Sequence, residues 1–165
     1  MRWSKVRQMV EGQFAPSLAG RVRLESTHYH KSHDGEGRVG IVIDGVQVWC
    51  MGCIEGDRAP GLMADDLHER EGIPRREAYR IGDAKAHDYG FVSQYDFHQA
   101  VWDLTQVSID DALASPSAVL RALAYMDART GKRRLVKLAE RAPRSSVERQ
   151  CLKARLEAES IAYDW

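Results

Sequence analysis

Cysteines, long apolar runs and net charge are what this sequence has least of. Its three cysteines cannot all pair within one chain, and secreted disulfide frameworks normally contain a larger, even number. No segment approaches the roughly 20 apolar residues that a membrane-spanning helix needs, and the start of the chain has no apolar run of signal-peptide length. These absences argue against a secreted or membrane protein. We expect a protein of the reducing cytoplasm without a membrane partner.

The charges are balanced, with 24 Lys and Arg residues against 24 Asp and Glu residues. A net charge of zero gives no long-range attraction to nucleic acid or to an anionic membrane, so any binding of nucleic acid has to depend on a local cluster. At 165 residues the chain has the length of one domain, large enough to fold without a metal or a disulfide. We therefore predict a single domain over residues 1–165.

The first third of the chain predicts a helix followed by a small antiparallel sheet. Apolar residues at spacings of three and four predict an amphipathic helix over 4–14, and Ser4 is available as its N-cap. The dipeptide Asp44-Gly45 is a favoured two-residue hairpin turn. The β-rich segments near it are 21–30, 38–43 and 46–50. Residues 1–53 are thus interpreted as a helix plus a β-meander.

Residues 54–92 lack a clear periodicity. They contain glycines, prolines and many charges but few apolar anchors, so we interpret them as a long irregular connection with one possible helix over 62–70. The Gly72-Ile73 turn and the basic segment after it are features of a helix-turn-helix. His68 stands where such a motif needs a small residue, however, and the first helix has too few apolar residues. DNA reading by this element is therefore not favoured.

Residues 93–165 predict a group of short helices. Four pairs of residues mark helix starts: Ser93 with Asp96, Ser108 with Asp111, Ser115 with Pro116, and Ser145 with Glu148. Gly131 stands where the helix after Pro116 would end, and a further helix is expected over 132–141. Together with the N-terminal meander, these helices predict an α+β fold.

A faint repeat runs through this helical part. Pro116-x-x-Val119-x-Arg121 and Arg144-x-x-Val147-x-Arg149 lie 28 residues apart, and each opens a longer helix that follows a short one. The spacing is similar to that of HEAT-type helical hairpins, which stack so that each unit covers its neighbour's apolar face. Two copies are fewer than such arrays usually contain. Two ordinary helical hairpins are the alternative.

Five candidate metal ligands surround the predicted meander: His28, His30, His33, Cys50 and Cys53. The Asp44-Gly45 turn predicts pairing of Val39 with Cys50, and alternation along the first strand puts both of its histidines on the same face as Cys50. Zinc favours four Cys or His ligands, and the Cys-x-x-Cys spacing is typical of them. The alternative is a core edge without metal, because free cysteines are often buried.

An enzyme is less well supported. Thioredoxin-type cysteines lie at a helix start that lowers the thiol pKa, whereas Cys50 and Cys53 are predicted to follow a strand into a glycine-rich loop. Nucleophilic catalysis by a cysteine or serine with a histidine has no local signature in this sequence. We therefore expect no cofactor, with zinc as the alternative.

Basic residues cluster at one predicted helix junction: Arg129, Lys132, Arg133 and Arg134. The segment is not a phosphate-binding loop, because Tyr125-Met126-Asp127 precede it where a glycine is needed and Arg133 replaces the Ser or Thr. It has the charge to contact a nucleic-acid backbone or an acidic protein. A solvated helix start is the alternative.

Several motifs carry a resemblance to a family: Arg2-Trp3-Ser4-Lys5, Phe14-Ala15-Pro16-Ser17-Leu18, Ser93-Gln94-Tyr95-Asp96-Phe97, and Arg121-Ala122-Leu123-Ala124 before Gly131-Lys132-Arg133-Arg134-Leu135. With these motifs the chain resembles an uncharacterised family of short bacterial proteins. The resemblance implies neither an activity nor catalytic residues. The chain departs from the family at Ala128-Arg129, where Arg-Arg is more usual, and the His and Cys residues are not among the motifs.

Paired helices offer extended surfaces to other proteins, and no catalytic motif is present. We therefore predict a non-enzymatic protein-binding or regulatory module, comparable to an immunity protein that binds a toxin. Two alternatives remain open. One is a zinc-binding or thiol enzyme that uses His28, His30, Cys50 and Cys53; the other is a nucleic-acid binder that uses residues 129–134.

Overall fold

The computed structural model of the protein describes residues 2–28 and 37–165. A helix, α1 (Trp3–Glu11), precedes three strands, β1 (Val22–His28), β2 (Gly37–Ile43) and β3 (Val46–Gly52). Seven further helices follow: α2 (Cys53–Glu71), α3 (Arg75–Tyr89), α4 (Gln94–Asp103), α5 (Ile109–Leu113), α6 (Ala118–Met126), α7 (Lys132–Ala139) and α8 (Ser146–Ala158). The predicted α+β class is confirmed. No helix in this part of the chain is both long and apolar enough to cross a membrane.

The three strands form an antiparallel sheet in the order β1-β2-β3, as predicted. The turn between β2 and β3 is at Asp44-Gly45, where both residues have positive φ angles of 51° and 80°. This conformation is the one that a two-residue hairpin needs, and it favours Asp-Gly.

The predicted pairing of Val39 with Cys50 is wrong. An irregularity between Ile41 and Val42 shifts the register, so that Val39 lies opposite Met51 and Gly40 lies opposite Cys50. A shift of one residue moves every side chain of a strand to the other face. Trp49 and Met51 therefore enter the core in place of Cys50, which is only partly buried.

The core lies between the sheet and the helices that cover it. Contacts of α1 with β1, of α4 with β2 and of α8 with β3 bury one face of the sheet. The ring of Phe97 in α4 stacks on Trp49 in β3, with 5.8 Å between the ring centroids. Backbone hydrogen bonds from Ala15 to Met126 and from Ala128 to Gln13 tie the N-terminal segment to the end of α6.

The irregular connection predicted for residues 54–92 is wrong, because α2 and α3 form a helical hairpin over most of this range. Two glycines of the hairpin make close backbone contacts, Gly82 with α2 and Gly56 with the segment that leads into α4. A Cβ at Gly56 would lie 2.2 Å from the carbonyl oxygen of Val92, and a Cβ at Gly82 would lie 2.7 Å from that of Pro60. The sequence pattern suggested loops, but Gly82 is a contact point between the two helices, and Gly56 is a contact point between α2 and the segment before α4.

The α2–α3 hairpin is also not a helix-turn-helix. Gly82 packs beside Ala64 in the middle of the hairpin, and Val92 packs beside Gly56 at its base. The two helices are therefore antiparallel along their whole length, whereas the helices of a helix-turn-helix cross at about 90–120°.

In the C-terminal part, Ser93, Ser108 and Ser145 cap helices as predicted. Two details are wrong: Ser117, not Ser115, caps α6, and Gly131 begins α7 instead of ending α6. Short helices alternate with long ones, and the long helices α6 and α8 pack together, as stacked hairpins would. The HEAT-type assignment itself stays a prediction.

Candidate functional site

A concave groove of about 350 Å³ lies between α1 and α4, and aromatic rings form most of its lining. Helix α1 contributes residues from its first two turns, and α4 contributes residues spaced by three and four, which share one helix face. The lining residues are Trp3, Val6, Tyr95, His98, Gln99 and Trp102. The groove thus contains two of the four tryptophans of the chain.

Three aromatic residues of the groove have polar groups without a hydrogen-bond partner among the described residues. Tyr95 is 74% exposed. Within residues 2–28 and 37–165, neither its hydroxyl nor the indole N–H groups of Trp3 and Trp102 form a hydrogen bond. Tyr and Trp are common in binding surfaces because each offers a large apolar ring together with a polar group that needs a partner. The groove can therefore bury an apolar group and also donate hydrogen bonds to polar acceptor atoms beside that group.

His98 forms the inner part of the groove. Its ring stacks on Trp3, with 4.3 Å between the ring centroids and 23° between the planes. Its Nε2 lies 2.8 Å from Oγ of Ser26 in β1, and the Ser26 oxygen accepts a hydrogen bond from Nε2 of Gln94 at 2.7 Å. Burial lowers the pKa of His98, which favours the neutral ring whose Nε2 accepts the Ser26 proton. This chain of hydrogen bonds fixes α4 to the sheet.

Ser26 and His98 resemble a nucleophile and its base, but the described residues include no side chain that orients this base. A serine nucleophile needs a base that a third group orients, and donors for the developing oxyanion. Among the described residues, Nδ1 of His98 has no hydrogen-bond partner. The Ser26–His98 contact holds the imidazole in the lining of the groove.

The position of His98 leads to a measurable pH effect. We expect its pKa in the folded protein to lie below the ordinary value of 6.5. The unfolded chain then binds the proton more tightly, so stability falls as the pH drops from about 6.5 through the folded-state pKa. An NMR titration of the ring protons measures the pKa, and His98→Gln should remove this part of the pH dependence. A folded-state pKa above 6.5 would contradict the burial argument.

The predicted metal ligands do not come together in the described part of the chain. His28 pairs with Gly37 and so shares the sheet face of Val39, whereas Cys50 lies opposite Gly40 on the other face. The predicted glycine-rich loop after β3 is wrong, because Cys53 begins α2, and its Sγ lies 3.9 Å from Oε1 of Gln94. The remaining two candidates, His30 and His33, lie outside the described residues. Among residues 2–28 and 37–165, no three His, Cys, Asp or Glu side chains are placed to hold a metal.

Most of the predicted basic cluster already has carboxylate partners. Arg129 pairs with Asp127 at 2.8 Å and donates to the carbonyl oxygens of Leu104 and Val107. Lys132 lies 3.3 Å from Glu159, and Arg134 lies 2.7 Å from Asp110. Arg133 is exposed and has no carboxylate partner among the described residues. These contacts leave little free charge for a nucleic-acid backbone.

Sequence reasoning missed the groove, although a signal for part of it was present. Ser93 correctly predicts the start of α4, and from that start Tyr95, His98 and Trp102 fall on one helix face. Nothing in the local sequence indicates that Trp3, more than 90 positions earlier, lies beside that face.

Comparison with known proteins gives a single finding. A model described as the SF0329 protein family matches residues 2–156. No curated protein and no solved structure matches the chain. The matched range includes every residue of the groove.

Proposed function

The chain belongs to the SF0329 protein family, and we propose that it is a non-enzymatic protein-binding module whose aromatic groove takes an extended, proline-containing segment of a partner protein. One observation carries the proposal: Trp3, Tyr95 and Trp102 line a single groove and have polar groups without partners in the described structure.

The chemistry of the groove suits a polyproline II segment. Such a segment has no internal hydrogen bonds, so its carbonyl oxygens are free to accept from indole N–H and phenol groups. Its proline rings pack on aromatic faces, and its conformation is formed before binding, which reduces the entropy lost in the complex. The donors of Trp3, Tyr95 and Trp102 supply this combination of rings and hydrogen bonds.

The surroundings of the groove also support a binding role without a catalysed reaction. The Ser26–His98 pair lacks an orienting carboxylate among the described residues, and Gln94 holds it in place from the other side. A regulatory or immunity-like protein needs no reaction, because it acts by occupying a surface of its partner. This role is the one we propose.

The test uses proline-containing peptides and two tyrosine variants. In an NMR titration with a set of Pro-x-x-Pro peptides, we expect the indole N–H signals of Trp3 and Trp102 to shift. Tyr95→Ala should weaken binding about tenfold or more, because truncating an aromatic anchor in a groove typically costs over 1 kcal/mol. The matched control is Tyr79→Ala, which removes a tyrosine that is 54% exposed on α3, away from the groove.

Two results would contradict the proposal. One is the absence of indole shifts with every peptide at millimolar concentration. The other is equal weakening by Tyr79→Ala and Tyr95→Ala, which would indicate nonspecific contact with exposed rings.

A further inference from the structure

A second cavity, of about 450 Å³, lies where α7 ends and α8 begins. It shares no lining residue with the aromatic groove. Its floor contains Arg121, Tyr125 and Glu148, and its rim contains Lys137, Arg141 and Arg144. Cavities of this size are typical of small-molecule sites. Nothing in the proposed peptide-binding function uses it.

The floor of the cavity is a closed network of hydrogen bonds around Glu148. The two carboxylate oxygens accept from Nε and Nη2 of Arg121, each at 2.8 Å, from the hydroxyl of Tyr125 at 2.7 Å and from that of Ser145 at 2.8 Å. Four bonds fill the acceptor positions of a carboxylate. Glu148 therefore has no free position for a metal or for the proton of a substrate, and it serves to hold Arg121 in place.

The charges of the floor cancel, but those of the rim do not. Arg121 also pairs with Asp88 at 2.8 Å, and Arg144 lies 4.0 Å from the same carboxylate. The guanidinium of Arg121 is thus shared between two carboxylates. Lys137 and Arg141 have no carboxylate partner in the described part of the chain. The mouth of the cavity therefore has two uncompensated positive charges, with Arg144 as a third group that is only loosely paired.

This arrangement selects the chemical class of a ligand. Arginine binds phosphate through a fork of two parallel N–H donors, and lysine adds a point charge. A phosphate monoester carries close to two negative charges, which match the two uncompensated cations. Leu138, Pro143 and Leu152 form an apolar wall that can cover a compact organic group. We infer that this cavity binds a small phosphate monoester through Lys137, Arg141 and Arg144.

Phenyl phosphate is the probe for this inference. Isothermal titration should show binding by the unmodified protein, and Arg141→Gln and Lys137→Gln should each weaken it by about tenfold, as expected for losing one charge-assisted contact. Arg133→Gln is the matched control, because Arg133 is an exposed cation on the same helix as Lys137 and does not line the cavity. This variant removes the same charge and should bind as the unmodified protein does.

The outcomes separate this site from the aromatic groove. Trp102→Ala should leave the affinity for phenyl phosphate unchanged, since Trp102 lies in the groove. Equal weakening by Arg133→Gln and Arg141→Gln would overturn the inference, because it would mean general charge attraction. Benzoate binding as tightly as phenyl phosphate would overturn the monoester assignment, and the absence of heat with phenyl phosphate at millimolar concentration would overturn the site itself.

Discussion

Arg121→Met is expected to lower the free energy of unfolding by about 3–5 kcal/mol, the usual cost of leaving a buried charge without its partner. The side chains of Arg121 and Glu148 are only 14% and 5% exposed, and two hydrogen bonds join them. Without the guanidinium, the carboxylate of Glu148 stays buried beside Tyr125. Urea unfolding of the two proteins at pH 7 measures the difference.

The pH dependence of this difference tests the mechanism. Burial raises the pKa of Glu148, but hydrogen bonds from Arg121 and Tyr125 outweigh it, so the pKa is lower than its ordinary 4.5. In the unmodified protein this group thus contributes stability above about pH 4.5, and the contribution is lost as the pH falls through the folded-state pKa. In Arg121→Met, burial is no longer outweighed by the bonds from Arg121, so the pKa of Glu148 rises and its carboxyl takes up a proton as the pH falls. The deficit of the variant should therefore narrow as the pH falls from about 7 to about 4.

Two further variants control for the loss of the side chain itself. Arg121→Met combined with Glu148→Gln should regain part of the loss, because the neutral amide still bonds to Tyr125 without a buried charge. Arg23→Met breaks an exposed ion pair with Glu25 of 2.6 Å and should cost at most about 1 kcal/mol. If Arg121→Met lowered the free energy of unfolding by less than about 1 kcal/mol, the buried network would contribute little to stability.

The parts of the fold that the sequence predicts well depend on short-range chemistry. Ser93 and Asp96 form a reciprocal capping box, and Asp44-Gly45 adopts the φ angles of a two-residue hairpin. In each case one or two side chains satisfy neighbouring backbone groups or permit a turn, so the residues alone carry the information. The α+β class follows from such local signals.

The errors arise where distant segments decide the outcome. The irregularity between Ile41 and Val42 changes the partner of Cys50, and no residue type in the strand indicates it. That single shift removes the common face on which the predicted zinc site depended. The aromatic groove likewise exists only because α1 packs against α4. The periodicity of one helix predicts which residues share a face, but not which other helix completes a groove.

The glycines of residues 54–92 were the other source of error, because they predicted an irregular connection where α2 and α3 form. Gly56→Ala tests whether Gly56 is instead a close contact of α2. We expect this substitution to lower the free energy of unfolding by about 2–3 kcal/mol, in the upper part of the range for overpacking. The added Cβ would lie 2.2 Å from the carbonyl oxygen of Val92 and 2.8 Å from the backbone nitrogen of Ser93. Both are backbone atoms, so the chain itself has to move. Thermal and urea unfolding measure the loss.

Gly61→Ala is the matched control, because it makes the same change in the same helix where nothing lies within 4 Å of the new Cβ. It should stabilise the protein by about 0.5–1 kcal/mol, since alanine is the better helix former. The two substitutions are thus expected to change the free energy of unfolding in opposite directions.

Ser93 caps α4, which carries Tyr95 and Trp102, so Gly56→Ala should also weaken peptide binding, whereas Gly61→Ala should not. If both substitutions stabilise the protein, then α2 does not pack against the start of α4 as described, and the hairpin does not support the groove.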